Sequence, residues 1–238
     1  MYETIKFDSS FEEYNANFNY SSNLTIAANP NRVVFFIACF NNASVTVSNN
    51  TFAGQPMTVA VQRSSNNMTV YISYLVNPPV GTNLMFADFS DAIPHIGSAI
   101  CFYNVNTANP LSATRDVGVA SGSYTGAIAV PENGLFLDTI NNDTNAVISP
   151  SAGQTLVARH NGSFGNGGIS YRIFTSADPN YVASWNNGTT NATVYAEAVF
   201  NPALRQGGSF LYNLIWGLMR EWLSLKKKLK TSRKTWMR

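Results

Sequence analysis

The sequence predicts an all-β protein, a single antiparallel β-sandwich with one α-helix appended at its C-terminus. Three observations predict it. Short β-branched and aromatic runs recur along residues 1–203, separated by clusters of Asn, Gly, Pro and Ser. Charged residues make up only 12% of the chain, about half the usual share, and Asn, Ser and Thr supply the polarity instead. A helical period appears only after residue 208.

The strands follow in order. "NLTIA" and "RVVFFIACF" (Arg32–Phe40) come first, the second a continuous apolar run of the kind covered on both faces. "SVTVS", "MTVAVQ", "TVYISYLV" (Thr69–Val76), "NLMFADF" and "SAICFYNV" (Ser98–Val105) follow, then "YTGAIAV", "GLFLDTI", "QTLVARH" and "GISYRIF". "ATVYAEAVF" (Ala192–Phe200) closes the series and alternates, with Val194, Ala196, Ala198 and Phe200 on one side. The intervening "AGQP", "NPPVG", "PENG" and "NNGTTN" are turn formers. The chain therefore divides into a β-sandwich domain over 1–203, a linker over 204–209, an amphipathic attachment helix over 210–230 and a basic tail over 231–238.

Charge is uneven. Residues 1–207 carry 7 Lys and Arg against 12 Asp and Glu, whereas residues 208–238 carry 8 basic residues against Glu221 alone. This describes a near-neutral body with a basic, interacting appendage, and the low share of charged residues argues against a nucleic-acid binder. Cys39 and Cys101 sit inside apolar runs and read as buried free thiols, not a disulfide. The N-terminus lacks the basic and apolar regions of a cleavable secretion signal.

The order of several motifs resembles a β-sandwich module, jelly-roll or immunoglobulin-like, of phage structural proteins and bacterial surface proteins. The matching pieces are "NRVVFFIACF", "AGQPMTVAV" and "VYISYLVNPPVGTNLMFADFS". "GSAICFYNVNTANPL", "SAGQTLVARHN" and "YAEAVFNPA" complete the order, over residues 5–203. The Leu-Val-Asn-Pro-Pro-x-Gly-Thr element is the most specific: two prolines stop a strand and Gly81 permits the reversal. The resemblance implies a structural or adhesive module without catalytic residues, and it has no counterpart to the chain beyond residue 208.

Chemistry-bearing motifs are sparse. His95 and His160 lack metal-ligand spacing, no nucleophile elbow occurs, and neither cysteine has a His beside it. "NGSFGNGGIS" (Asn161–Ser170) reads as a flexible loop, since no helix follows to cradle a phosphate. Asp88, Asp91 and Asp138 could form a glycosidase pair only by folding together. No catalytic residue, metal site or cofactor is assigned. Trp185, in "NYVASWNNGTTN", is the candidate ligand-loop residue for glycan stacking.

In the tail, Leu211, Ile215, Leu218, Trp222, Leu225 and Leu229 step by alternating fours and threes, the seam of an attachment or self-association helix. Lys226, Lys227, Lys228 and Lys230 form the basic tail after it. The apolar run from Phe210 to Leu225 would span about 24 Å as a helix, short of a hydrocarbon core of about 30 Å. The expected function is a non-enzymatic structural protein of a virion or extracellular assembly, its body docked through the helix to other protein subunits or copies of itself. A surface adhesion or glycan-binding module and a membrane-associated protein held by the helix are the alternatives. A virion, extracellular or cell-surface location goes with all of these, and nucleic acid with none.

Overall fold

Eight consecutive residues, Val33–Phe40, are buried, and their two faces lie in two different cores. Val33, Phe35, Ile37 and Cys39 enter one, while Val34, Phe36, Ala38 and Phe40 enter the other. A strand alternates its side chains, so this segment must have protein above and below it. The computed structural model that shows this describes residues 2–119, 126–143, 148–162, 165–186, 192–205, 219, 220 and 222. Residues Met1–Leu204 form one compact unit and Arg205–Arg238 a second.

The first sheet is built from β1 (Lys6–Ile26), β2 (Val33–Phe40), β3 (Val47–Phe52), β4 (Gln55–Pro56), β5 (Thr58–Ser65), β6 (Met68–Val76) and β7 (Gly81–Tyr103). Its order is β4-β3-β7-β2-β6-β5, with β1 along the other side of β7. β1 and β7 are 21 and 23 residues long and pair antiparallel over almost their whole length. The C-terminal part of β7 pairs with β2, while Met85–Phe89, near its start, pairs with β3. The register shifts between Asn17 and Asn19, opposite Asp88 and Ile93, and there the ribbon turns back over the sheet.

The result is a bent, nearly closed, barrel-like sheet. Its interior holds Tyr20, Leu24, Ile26, Phe36, Phe52, Met85, Phe89 and their neighbours. Asn50 on β3 reaches across the gap, donating from Nδ2 to Tyr71 Oη at 3.1 Å and Ser73 Oγ at 2.7 Å on β6. Tyr20 packs closely against Gly97, where an added Cβ would lie 2.4 Å from the ring.

The second sheet contains β8 (Leu111–Val119), β10 (Leu135–Asn142), β12 (Thr155–Gly162), β13 (Gly165–Ile173) and β16 (Thr193–Phe200), in the order β12-β13-β10-β16-β8. It packs on the other face of β2, β6 and β7 through the larger core, to which Val194, Ala196, Ala198 and Phe200 contribute. Its far face is covered by β9 (Ala127–Val130) paired with β14 (Asp178–Val182), and by β11 (Ser149–Pro150) paired with β15 (Trp185–Asn186). At one side the sheets meet through Arg63 on β5 and Asp116 on β8, 3.4 Å apart.

Asparagine explains many of the turns. Asn31, Asn49, Asn66, Asn67, Asn77, Asn104 and Asn133 all have positive φ, a conformation that Asn tolerates better than most residues. Asn66 and Asn67, both with positive φ, form the two-residue connection of the β5–β6 hairpin. In the Pro-Pro-Gly turn, Asn77 and Gly81 have φ of 51° and 93°. Arg32 fastens that turn by donating from Nε and Nη2 to the Pro78 carbonyl at 3.4 and 3.3 Å.

Several expectations need correction. The body is all-β with several sheets, and not one simple sandwich, because the β1–β7 ribbon folds into a third layer. "NLMFADF" and "SAICFYNV" belong to the single strand β7, continuous through Pro94. The glycine run read as a loop supplies β13, where a Cβ at Gly167 would collide with Cys39 Sγ and one at Gly168 with Trp185. Small residues there let neighbouring layers approach.

The appended helix, and docking or membrane anchorage through it, is overturned: every secondary-structure element among the described residues is a strand. Within 210–230 the described residues are Met219, Arg220 and Trp222; all three are exposed and helical, fewer than one turn. A seam this short draws its stability from packing, not from propensity, so its spacing alone does not establish a helix. Leu211, Ile215, Leu218, Leu225, Leu229, Lys226, Lys227, Lys228 and Lys230 lie outside the described residues. Among the described residues no helix is long and apolar enough to cross a membrane.

The Tyr20–Gly97 contact gives a direct check on the bent ribbon. Gly97→Ala is expected to lower the free energy of unfolding by about 1–3 kcal/mol in urea titration. Combined with Tyr20→Leu, it should cost less than the sum of the two single changes, because the clash goes with the ring.

Candidate functional site

Buried carboxylates are the first place to look for chemistry. Asp138 on β10 is 1% exposed and stands opposite Ser170 on β13 and Glu197 on β16. Glu197 is also buried, and Arg115 on β8 stands opposite it. Ser170 Oγ donates to Asp138 Oδ1; Gln154 Nε2 and Trp185 Nε1 donate to Oδ2 at 2.9 and 2.8 Å. Gln154 also donates to Ser170 Oγ at 2.7 Å.

Burial pushes the Asp138 carboxyl up to about 6, against the opposing pull of its Ser170, Trp185 and Gln154 hydrogen bonds. Tyr181 nearby is also raised by burial, with the Arg172 side chain working against the shift. The Arg172 guanidinium carbon sits 4.6 Å from the Phe174 ring centre and 5.2 Å from that of Tyr181.

This node lies between two apolar clusters on the far face of the second sheet and pins the covering segments to it. Both Asp138 oxygens are engaged by protein, which leaves neither aimed at a cleft. Trp185 is 4% exposed with its indole N–H on Asp138, so its ring face is turned to protein. Glycan stacking needs an open ring face. Sequence reading singled out Asp138 and Trp185 separately; 47 positions apart, they are joined only by the fold.

The histidines and cysteines are also distributed by the fold. His95 is buried, with Nδ1 3.0 Å from the Ile93 carbonyl oxygen, and burial lowers its pKa. His160 on β12 stacks on Tyr14 of β1 with ring centres 3.5 Å apart, 9° from parallel. Cys39 and Cys101 are free and belong to opposite cores, and burial raises both thiols, Cys39 to about 12. Among the described residues no group of three His, Cys, Asp or Glu could hold a metal ion.

The remaining candidate is the long edge strand β1, of which sequence reading found only the end, "NLTIA", and missed Lys6–Ser22. Among the described residues it pairs with β7 alone. Phe7, Phe11, Tyr14 and Phe18 are exposed along it, Phe11 by 42% and Phe18 by 59%. The Ala16 amide donates to its neighbour Asn15 Oδ1 at 2.8 Å and so points away from β7. With a period of two, the amides of Ser10, Glu12 and Tyr14 point outward as well. Beside the strand, Glu12, Glu13, Tyr14, Ile96, Ala158 and Arg159 line an open cavity of about 220 Å³. That is below the ~300–1,000 Å³ of a small-molecule pocket.

Comparison of the chain with known protein families, characterised proteins and solved structures finds no match. The resemblance to phage and bacterial surface modules therefore reaches only as far as an all-β domain with several sheets.

The carboxylate node predicts a pH dependence. Its raised pKa means that the folded state holds a proton which the unfolded state releases between the ordinary carboxylate range and about 6. Its contribution to stability therefore falls as pH rises through that window, by an amount on the order of 3 kcal/mol. Asp138→Asn keeps both acceptor and donor functions at the site. It should remove that slope and melt above the wild type at pH 7, as followed by calorimetry from pH 4 to 7.

Proposed function

We propose that this chain is a non-catalytic protein-binding module of an assembly, and that it recruits other protein subunits by strand pairing at β1. The exposed outer edge of β1 supports the reading. A free edge offers a row of backbone donors and acceptors that an extended segment satisfies, and flanking side chains supply selectivity. Here the row is long and aromatic residues are interleaved with it. The two stacked cores and the pinned covering layer make the rest of the unit a rigid support.

Paired carboxylates without a cleft give no positive ground for a hydrolase, and the enclosed indole of Trp185 gives none for a glycan platform. Strand pairing needs neither.

The full-length chain, probed with an array of immobilised 12-residue synthetic peptides of varied sequence, is expected to bind a subset of them. Ser10→Pro deletes one outward amide while leaving the β7 side intact. It should weaken that binding at least tenfold with little change in melting temperature, whereas Val80→Lys, at an exposed turn position, should leave it unchanged. Absence of binding to any peptide, or equal binding by Ser10→Pro, would overturn the reading.

A further inference from the structure

We infer that the cover formed by β11 and β15 over the second sheet is a proton-dependent clasp. Asp138 and Glu197 beneath it hold one proton between them while it is closed, and loss of that proton to solvent lets it lift. The device is separate from the edge of β1 and does not depend on the strand-pairing reading.

Three observations carry it. First, the ladders set four side chains in one row across the far face of the second sheet. Ser170 stands opposite Asp138, Asp138 opposite Glu197, and Glu197 opposite Arg115. Directly opposite residues have Cβ atoms about 4.5–5.5 Å apart, so the two buried carboxyls are immediate neighbours. Two carboxyls beside one guanidinium leave the row one charge short of neutral, and a proton makes up the difference. Burial, which pushes the Asp138 carboxyl up to about 6, works in the same direction.

Second, the other charged groups around this layer are engaged elsewhere. Arg159 on β12 donates from Nη1 to the Ile148 carbonyl at 3.2 Å, and the Arg172 guanidinium on β13 lies over the Phe174 and Tyr181 rings. Asp178 on β14 accepts from the Asn180 amide at 3.0 Å, and Arg115 also donates to the Ala127 carbonyl at 2.6 Å. Tyr181 on β14 and Tyr195 on β16 are phenols, uncharged at neutral pH. β9, β11 and β15 contain no ionisable side chain.

Third, the cover is built to lift. β11 and β15 are two residues each and pair with each other, with no ladder to the second sheet. Trp185 Nε1 and Gln154 Nε2 tie it to Asp138 Oδ2, and the Trp185 ring rests so close to Gly168 that a Cβ there would lie 2.6 Å away. So short a pair can open without breaking the sheet beneath. Once the proton has left, the closed form traps two facing negative charges between apolar clusters, and lifting admits water to them. Opening therefore becomes easier as pH rises from the ordinary carboxylate range to about 6, by on the order of a hundredfold across the window.

The test follows hydrogen exchange of the Trp185 indole N–H by NMR in the full-length chain, its signal identified by its loss in Trp185→Phe. Protection relative to free tryptophan is expected to fall at least tenfold from pH 4.5 to pH 7.5. Low urea should speed exchange of the Val33–Phe40 amides and leave the indole unaffected, the mark of local opening. Asp138→Asn should hold the protection at its pH 4.5 value throughout. Glu197→Gln, which removes the facing charge, should shrink the fall at least threefold.

Equal protection at the two pH values overturns the inference. So does indole exchange that follows urea as steeply as the β2 amides, since the cover then opens only with the whole unit. A full fall retained in Glu197→Gln also overturns it, by making Asp138 a carboxyl that titrates alone.

Discussion

Burial of β2 on both faces is the constraint from which the architecture follows. Phe35 and Phe36 point in opposite directions and are both fully buried, so one covering layer would leave half of this strand's apolar side chains in water. Each such side chain is worth roughly 1.5–3 kcal/mol when buried, which sets the scale of the penalty. The second sheet covers one face. The chain covers the other by running β1 and β7 past the end of β2 and turning them back together, with β3 paired alongside. Tyr20 over Gly97 is where the returning ribbon meets the sheet it came from, and no larger residue than glycine allows that approach.

The same need to cover apolar surface recurs on the far face of the second sheet, where the solution is less tidy. Phe136, Ile140, Tyr195 and Val199 point outward there, and short two-stranded segments close over them. Segments that short have little cooperative pairing of their own. The buried carboxylate of Asp138 compensates by gathering donors from Gln154 and Trp185 on the cover and Ser170 on the sheet. Buried polar groups of this kind fix one arrangement among many that apolar contact alone would tolerate.

What could be read from the sequence follows from this layering. β2, β6, β10 and β16 announce themselves because covered strands need continuous apolar or cleanly alternating runs. The turns were legible too, since positive φ demands Asn or Gly at fixed places, as at Asn66-Asn67 and Gly81. β1 was not. Over Lys6–Phe18 it is exposed or half-buried on both faces, so "KFDSSFEEYNANF" shows no alternation, and only the long-range register with β7 makes it a strand. The continuity of β7 through "DAIPHIG" was hidden by Pro94, a residue that reads as a strand breaker. The Asp138–Trp185 bond joins positions that no local pattern connects. In the tail, a seam of six residues suggested a helix, but periodicity states only which residues would share a face if one formed.

The edges of the first sheet differ in how they are treated. β4 is two residues long and ends in Pro56, which withholds an amide. β5 is drawn against β8, with Arg63 facing Asp116 across the junction. Both are familiar ways of blunting an edge. β1 receives only partial protection: Asn15 occupies the Ala16 amide, and Glu12 and Glu13 place charge along the strand. Its exposed aromatic residues remain, at a cost in solubility that a long open edge makes worse. A fold able to blunt two edges has the means to blunt the third. Here Phe11, Tyr14 and Phe18 stay on the surface beside an unpaired edge, and that contrast among the described edges is what the strand-pairing proposal rests on.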